Sequence, residues 1–337
     1  MFRVFLFFIL LVLSNACSDQ YSKKTIKFQG STMGTQYHIV LLVPRNLQID
    51  TIKLQRKINN ILLEINQQMS TYIPSSEISL FNQTKQTNWF SVSYDFAQVV
   101  STAQNISKLS KGAFDITVAP LIDLWGFGAK TQLTIPTQQQ IKNAQENIGY
   151  QQLNVRLSPP ALRKINTDLR IDLSAIAKGF AVDKISEFFN QSNYTNYLVE
   201  IGGEIRNRGL NKKAQPWKIA IETPKKNHPT TNQSLLTSNI AIATSGDYRN
   251  YYIKNGIRYS HTINPTTGKP ITHNLASVTV LHNSTMIADA IATTLMVLGD
   301  VEGKAFVNTH KFKVNMIIRR GSKFHVWKNY DKDELVH

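Results

Sequence analysis

The chain has 337 residues, 42% of them hydrophobic, and a formal net charge of +16, a size that allows one large domain or two small ones with a sizeable core. Its basic residues are scattered, without a stripe interleaved with aromatics or a zinc-finger spacing, which argues against a nucleic-acid-binding protein. A basic surface would suit plain solvation, an anionic ligand or an anionic membrane surface.

The N-terminus has the proportions of a bacterial signal peptide. A short positive start precedes an apolar run that is too short to span a bilayer as a helix. The run ends in LSNAC, which is similar to a lipobox except that Ser14 replaces the usual leucine. We predict a lipoprotein signal peptide over 1–16, a lipidated Cys17, and a tether over 17–29. The alternative is a plain cleaved signal peptide; as the only cysteine, Cys17 excludes a disulfide within the chain.

Along the remaining chain, β-branched apolar stretches are interspersed with stretches of helical spacing. Strands are predicted at 37–43, 169–174, 196–209, 217–224, 240–248 and 276–282. Helices are predicted at 50–69, 93–110, 136–149, 175–191 and 287–299, with loops at 113–136 and 224–234. Because the elements follow no strict βαβ rhythm, we predict an α+β fold of mixed, largely antiparallel sheets packed with helices, in one domain over 30–337.

The predicted helix over 287–299, IADAIATTLMVLG, contains a single charge, Asp289. Burying an unpaired carboxylate costs several kcal/mol or forces it to take up a proton. Thr293 lies four residues further on and therefore shares a helix face with Asp289. These two oxygen-bearing side chains indicate either the cap of a structural network or a site for a hard cation.

Weaker signals lie elsewhere in the chain. Ser174 is a candidate N-cap, and Lys178 follows one turn later, which suits a phosphate but also an ordinary capped helix. The pair Gly202-Gly203 within a predicted strand indicates either a bulge or the close approach of a ligand. His261 precedes a turn rich in proline and glycine, and is either a structural residue or a catalyst. Walker A, GxGxxG, HExxH, CxxC and GxSxG motifs are absent from the sequence.

Taken in order, a series of short motifs resembles the ApbE family of bacterial FAD:protein FMN transferases, many of which are lipoproteins. The motifs are GSTMGTQY (30–37), MSTYIPSSEISLFN (69–82), GAFDITVAPL with WGFG (112–128), IDLSAIAKGFAVD (171–183), IGGE (201–204), TSGDY (244–248), HTINPTTGKP (261–270) and ADAIATTLMVLG (288–299). The resemblance runs from about Gly30 to Gly299. A small departure is Glu204, where some relatives have Asp.

The resemblance implies a Mg²⁺-dependent reaction in which FAD is split at its pyrophosphate, AMP leaves, and FMN is joined to a Thr or Ser of an acceptor protein. It assigns the metal to the side chains of Asp289 and Thr293 and to the backbone carbonyl of Ala175, an all-oxygen set that suits Mg²⁺. Lys178 would neutralise the pyrophosphate, and His261 would take the proton of the acceptor hydroxyl.

The same resemblance implies contacts with FAD, which is the substrate. The matching positions are Met33, Tyr72, Ala113, Phe114, Asp115, Asp172, Lys178 and Ile263. Two other functions remain open: an FAD pyrophosphatase that uses water in place of the acceptor, and a non-catalytic flavin-binding lipoprotein. An intact metal pair and His261 argue against the second of these, because storage of a flavin needs neither.

The family also implies partners and a location. The expected acceptors are subunits of membrane redox complexes, such as the Na⁺-translocating NADH:quinone reductase or the Rnf complex. A lipid on Cys17 would anchor the domain to the cell membrane on its periplasmic side, with the inner membrane favoured over the outer. No nucleic-acid partner is expected.

Overall fold

The computed structural model describes residues 23–128, 135–223, 230–248, 251–321 and 323–331. The predicted signal peptide over 1–16 and the predicted lipidation at Cys17 lie outside these residues. Lys23–Thr32 forms a strand, so the prediction of a tether is wrong for residues 23–29. This strand pairs antiparallel with Thr35–Pro44. Its polar sequence, KKTIKFQGST, concealed it because a strand at a sheet edge needs few inward apolar side chains.

The helices and strands are named in chain order. The helices of the described residues are α1 (Thr51–Met69), α2 (Glu77–Gln83), α3 (Tyr94–Leu109), α4 (Ala119–Leu124), α5 (Gln138–Gln145), α6 (Ala177–Gln191) and α7 (Thr285–His310). The strands are β1 (Lys23–Thr32), β2 (Thr35–Pro44), β3 (Phe90–Ser91), β4 (Leu153–Leu157), β5 (Pro160–Lys164), β6 (Tyr197–Ile201), β7 (Glu204–Arg208), β8 (Trp217–Thr223), β9 (Thr230–Thr237), β10 (Ala241–Gly246), β11 (Tyr251–Lys254), β12 (Ile257–Ser260), β13 (Ile263–Asn264), β14 (Lys269–Pro270), β15 (Leu275–His282), β16 (Lys313–Arg320) and β17 (Lys323–Lys328). None of the described helices is both long and apolar enough to cross a membrane.

One eight-stranded sheet organises the fold, with the strand order β1-β2-β6-β7-β10-β15-β16-β17. Each described pairing within it is antiparallel. Smaller ladders are formed by β3-β5-β4, β8-β9, β11-β12 and β13-β14. The predicted α+β class with largely antiparallel sheets is therefore confirmed.

The large sheet is buried on both faces. Along β2, Leu41 and Val43 join a core that also contains the buried side chains of α1, α6 and α7. Leu42, between them, points to a second cluster with Trp217 and Ile219 of the β8–β9 ladder. Successive side chains of a strand point to opposite faces, so a strand covered on both sides reads as a continuous apolar run. This explains β15, whose residues are almost all buried.

The predicted strand over 169–174 does not form: residues 169–173 have no regular secondary structure, 174 is in a turn, and the segment lies outside the described ladders. The side-chain amide of Asn82 takes the place of a neighbouring strand: it accepts from Ile171 N–H at 2.8 Å and donates to Ile171 C=O at 2.9 Å. The N–H of Asp172 donates to the carbonyl of Ile116 at 2.8 Å. Because Asn82 is distant in sequence from Ile171, the hydrophobic periodicity of residues 169–174 could not show that a side chain replaces a neighbouring strand.

The predicted strand over 196–209 is instead the hairpin of β6 and β7. Gly202 and Gly203 form its turn with φ of 61° and 105°, and a two-residue turn of this kind needs positive φ at both positions. The glycine pair therefore marks a turn, where the sequence left a bulge or a ligand approach open.

Several predicted boundaries also differ from the structure. The predicted loop over 113–136 contains a short 3₁₀ helix and α4. The predicted loop over 224–234 contains the start of β9, while 224–229 lie outside the described residues. The predicted helix over 287–299 begins earlier and continues to His310 as α7, with a kink at Gly299.

Candidate functional site

Asp289, the charged member of the predicted metal residues, lies where α6 and α7 cross in direct contact. A Cβ on Gly179 would lie 2.4 Å from the carbonyl oxygen of Thr285, so a residue larger than glycine would force the two backbones apart. The contact places residues 178–183 of α6 against residues 284–289, the N-cap and first turns of α7. We call these two segments the α6–α7 crossing.

Asp289 is 2% exposed and accepts a hydrogen bond from Gly179 N–H through its Oδ2 at 3.0 Å. This N–H belongs to the first turn of α6, where no residue of the same helix can accept from it. No hydrogen bond from the described residues reaches the other oxygen, Oδ1. Burial raises the pKa of Asp289, while the charge of Lys178 and the bond from Gly179 act in the opposite direction. One oxygen thus has a structural task, and the other is left for a ligand.

Lys178 brings a positive charge to the same place. Its Nζ lies 3.9 Å from Asp289 Oδ2 and 3.7 Å from Glu204 Oε1, and it donates to the carbonyl of Ser174 at 3.3 Å. Glu204 is a second buried carboxylate, with its side chain 4% exposed. In the sequence it stood out only as a departure from some relatives. The turn at Gly202-Gly203 starts β7 at Glu204 and so delivers this carboxylate.

Thr293 and the Ala175 carbonyl are the other two members of the oxygen set that the resemblance implies. Thr293 follows Asp289 by one turn of α7, and its Oγ1 lies 3.5 Å from Ser245 Oγ on β10. Ala175 stands in the turn that leads into α6, next to the Ser174 carbonyl that Lys178 reaches. The described residues contain no cluster of three or more His, Cys, Asp or Glu side chains suited to a metal. One carboxylate, one hydroxyl and one carbonyl suit Mg²⁺, which keeps several waters.

The sequence predicted Ser174 as the N-cap of α6, and this prediction is wrong. The N-cap is Ile176, which makes no side-chain cap bond. Ser174 instead donates through its N–H, at 2.8 Å, and through its hydroxyl to Asp172 Oδ1. This local turn orders the chain between Asp172 and Ala175, and Asp289 supplies the cap to α6 from another helix.

The segment around Asp115 lies beside Asp172, because the N–H of Asp172 bonds to Ile116. Phe114 is 2% exposed, and Ala113 is half-buried. Asp115 accepts from the N–H and hydroxyl of Thr117 at 2.8 and 2.7 Å and from Tyr150 N–H at 2.8 Å. Burial raises the pKa of Asp115, and these bonds counteract the rise. The Asp115 carboxylate therefore holds its own segment in place through hydrogen bonds to Thr117 and Tyr150.

His261 follows the small β11–β12 ladder, and we call residues 251–261 the His261 hairpin. The half-buried imidazole lies against Phe127, with ring centroids 6.4 Å apart. Tyr252 and Tyr259 stack at 5.1 Å on the same side, and Phe127 contacts Tyr252. The motif WGFG therefore serves as a platform for the hairpin.

The remaining predicted contacts are Ile263, Met33 and Tyr72. Ile263 is buried beside Trp125, whose indole N–H donates to Gly268 C=O at 2.8 Å. Met33 lies at the β1–β2 turn with φ of 49° and lines a groove of about 660 Å³ against α1. Tyr72 is 70% exposed, between α1 and α2. The described contacts thus bring Asp289 together with Lys178, and the segment of Asp115 together with Asp172.

Comparison with known proteins gives matches along nearly the whole chain. The model of the ApbE family matches residues 33–318. A protein of Vibrio cholerae serotype O1 named FAD:protein FMN transferase is 41% identical over 300 residues, 89% of this chain and 89% of the relative. A Haemophilus influenzae protein of the same name is 40% identical over 310 residues, 90% of each chain.

Solved structures give the same result for the fold. The flavin transferase ApbE from Vibrio cholerae has a TM-score of 0.85 at 38% identity and covers 93% of this chain and 99% of its own. The apo form of the flavinyl transferase ApbE from Pseudomonas stutzeri has a TM-score of 0.85 at 33% identity, covering 94% and 98%.

Proposed function

The chain belongs to the ApbE family, and from this premise we propose how it moves FMN from FAD to an acceptor protein. Transfer of FMN from FAD to protein is the activity named for relatives that the chain matches over 89–90% of their length, so the chain is an enzyme of this class. We propose that the acceptor group is a Thr or Ser hydroxyl, that AMP is released, and that Mg²⁺ is required.

The observation that carries the metal proposal is the buried Asp289 carboxylate, whose Oδ1 receives no hydrogen bond from the described residues. A buried carboxylate needs hydrogen bonds as well as a positive charge nearby, and Lys178, at 3.9 Å, is too far away to donate a hydrogen bond. We infer that Asp289, Thr293 and the Ala175 carbonyl hold Mg²⁺. When bound, the ion would neutralise charge on the pyrophosphate and on the departing AMP.

Lys178 is the second positive group for the pyrophosphate. Its distances to Glu204 and Asp289, 3.7 and 3.9 Å, exceed hydrogen-bond length, so the two carboxylates hold the ammonium through charge. The side chain is 26% exposed and therefore reaches towards the surface from the start of α6. In this position it would bind the substrate phosphates and orient the bond that breaks.

His261 is proposed as the base. The acceptor hydroxyl oxygen would attack the phosphorus that carries riboflavin, while the bond from that phosphorus to the bridging oxygen breaks and AMP leaves with the bridging oxygen. The hydroxyl proton would pass to the imidazole, a group suited to proton transfer near neutral pH. Its half-buried position on an exposed hairpin supports this role, because the partner that brings the hydroxyl is itself a protein.

The test is incubation of the full chain with FAD and MgCl₂, first alone and then with a candidate acceptor subunit. Transfer predicts that the acceptor gains the mass of FMN and that AMP forms in equal amount, both abolished by EDTA. AMP formed equally well without an acceptor, with no flavin on protein, would make the chain an FAD pyrophosphatase. Flavin binding without AMP release would indicate a non-catalytic carrier.

We propose the acceptor and the location on the family resemblance and the N-terminal sequence. The acceptor subunits would belong to a membrane redox complex of the NADH:quinone reductase or Rnf type. A lipid on Cys17 would hold the domain at the periplasmic side of the cell membrane. Metabolic labelling with a fatty acid should mark the wild type and spare Cys17→Ser; equal labelling of both, or of neither, would contradict the anchor.

A further inference from the structure

Asp183 is a buried carboxylate of α6 that the reaction described above does not use. It is 6% exposed, and each of its oxygens accepts two hydrogen bonds. Oδ1 accepts from Arg206 Nη1 at 2.6 Å and from Thr285 N–H at 3.0 Å. Oδ2 accepts from the Ser284 hydroxyl at 2.7 Å and from Met286 N–H at 3.0 Å. A carboxylate has about four such acceptor positions, so this one is saturated.

These partners make Asp183 a cap for a helix other than its own. The N–H groups of Thr285 and Met286 belong to the first turn of α7, which has no internal acceptors for them. Ser284, the N-cap of α7, accepts from Ile287 N–H at 3.3 Å while it donates to Asp183. The start of α7 is therefore fixed to one side chain of α6, in addition to the backbone contact at Gly179.

The α6–α7 crossing has two levels of hydrogen bonds, which lie one helical turn apart along both helices. On α6, Gly179 and Asp183 are four residues apart and share a face. On α7, Thr285 and Asp289 are also four residues apart. Gly179 N–H bonds Asp289 at 3.0 Å at one level, and Asp183 bonds the N–H of Thr285 at 3.0 Å at the other. Asp183 and Asp289 thus cap each other's helices.

Arg206 ties the same carboxylate to the sheet. It lies on β7 two residues after Glu204, so both side chains point to the face of the strand that α6 covers. Along this face Glu204 meets Lys178 at 3.7 Å, Arg206 meets Asp183 at 2.6 Å, and Arg208 donates to Asn190 Oδ1 at 2.7 Å. A polar row therefore fixes the position of α6 along β7. Within that row, Lys178 lies 3.9 Å from the Asp289 carboxylate of α7, and Asp183 accepts hydrogen bonds from the backbone of α7.

We propose that Asp183 is a positioning residue for the reaction: by capping α7 and pairing with Arg206, it sets the Asp289 carboxylate against Gly179 and Lys178, and so shapes the metal site. This inference rests on the proposed Mg²⁺ site. Asp183 touches none of the assigned metal ligands and acts through the position of α7. Loss of supporting contacts of this kind typically weakens metal binding by about 10–100-fold.

The experiment compares three variants of the full chain. Asp183→Asn keeps the size of the side chain but places N–H donors where α7 and Arg206 present donors. Ser284→Ala is milder, since it removes one of the four bonds, and it serves if Asp183→Asn does not fold. Arg208→Gln is the matched control, because it breaks a contact of α6 with β7 that does not involve α7.

Two measurements are made on each variant: the dissociation constant of Mn²⁺ by electron paramagnetic resonance, and hydrogen exchange of the peptide that contains Gly179. Asp183→Asn should weaken Mn²⁺ binding about tenfold or more and speed exchange at Gly179, with several-fold effects for Ser284→Ala. Arg208→Gln should lower the melting temperature and leave both measurements near those of the wild type.

Unchanged Mn²⁺ binding and unchanged exchange in both Asp183→Asn and Ser284→Ala would overturn the proposal. Equal changes in Arg208→Gln would overturn it as well, because Asp183 would then act through general stability alone. The exchange measurement separates this inference from the proposed function. If the wild type binds no Mn²⁺, the metal assignment fails, while faster exchange at Gly179 in the Asp183 and Ser284 variants still supports the positioning role.

Discussion

The α6–α7 crossing and the His261 hairpin differ in how their functional groups are held. At the crossing, Asp289 is 2% exposed and Asp183 6%, and two long helices cap each other. The hairpin is a two-stranded ladder whose outer residues are open to solvent, with Ile253 64% and Ile257 57% exposed. The first region excludes water from charged groups, and the second presents a side chain to the outside.

The difference matches the chemistry proposed for each region. Charges that must bind a pyrophosphate and a cation act most strongly when fixed and shielded from water. A residue that receives a proton from another protein must stay accessible to that protein. We therefore expect changes at the crossing to affect metal and FAD together, and changes at the hairpin to affect the acceptor step.

The largest effect is expected from Asp289→Asn. The amide keeps the size of the side chain and an oxygen for Gly179 N–H, but it removes the charge that would hold the metal. Transfer of FMN should fall by about 10³-fold or more, as for loss of a central electrostatic group. The assay is mass analysis of the acceptor over time at saturating FAD and MgCl₂.

The control for this change is Thr294→Val. Thr294 is fully buried on the same helix, and its hydroxyl donates to the Ala290 carbonyl at 2.8 Å. This variant tests the effect of a buried polar change that leaves the site intact, and it should retain most of the activity. Turnover like that of the wild type in Asp289→Asn, with Mg²⁺ still required, would remove Asp289 from the metal site.

His261→Ala should slow transfer by about 10²–10⁴-fold, the usual contribution of a general base. FAD affinity should change little, because the proposed metal ligands and Lys178 remain in place to hold the pyrophosphate. Single-turnover transfer is measured against pH at saturating FAD and Mg²⁺. In the wild type the rate should rise with pH through an ionisation that the variant lacks. Two profiles of the same shape that differ by a constant factor would leave His261 as a structural residue.

Arg258→Gln should affect the hairpin alone. Arg258 Nη1 lies 2.9 Å from the buried Asp247 carboxylate, which also meets Arg319 at 3.2 Å. This ion pair fastens β12 to the large sheet. Its loss should raise the KM for the acceptor by up to about tenfold, as expected for about 1.4 kcal/mol. The KM for FAD and the Mg²⁺ requirement should not move; a Mg²⁺ requirement that moved with the acceptor KM would show that the two regions are coupled.

The sequence indicated the proposed metal ligands at the crossing better than the residues that hold them in position. Asp289 stood out as one charge in an apolar run, and Thr293 followed at helical spacing. Asp183 looked like any acid on a helix, because three of its four partners come from residues about a hundred positions away. Glu204 could be recognised as part of the site only from the structure, because the turn between β6 and β7 places it there. Long-range partners of this kind follow from the packing of elements, which periodicity does not encode.

The smallest effect on transfer is expected at Lys164 of β5, which is 1% exposed and whose replacement should change stability instead. Its ammonium donates to the carbonyls of Phe81 and Leu169 at 3.3 and 3.1 Å. The second of these carbonyls precedes the segment that leads through Asp172 to Ala175. Burial lowers the pKa of Lys164 from 10.5 to about 8. The folded protein therefore releases this proton at a lower pH than the unfolded chain does.

Between pH 8 and 10.5 the unfolded chain binds more protons at this position, so the charged Lys164 destabilises the fold most below pH 8 and less as pH rises. Lys164→Met removes this ionisation. The unfolding free energy of the wild type, minus that of the variant, should increase by about 1–3 kcal/mol from pH 7 to pH 10. Urea unfolding of both proteins across this range measures it, and Lys57→Met, at an exposed lysine of α1, is the control. A difference that stays constant with pH would mean that Lys164 keeps its proton in the fold, and that its two carbonyl partners outweigh its burial.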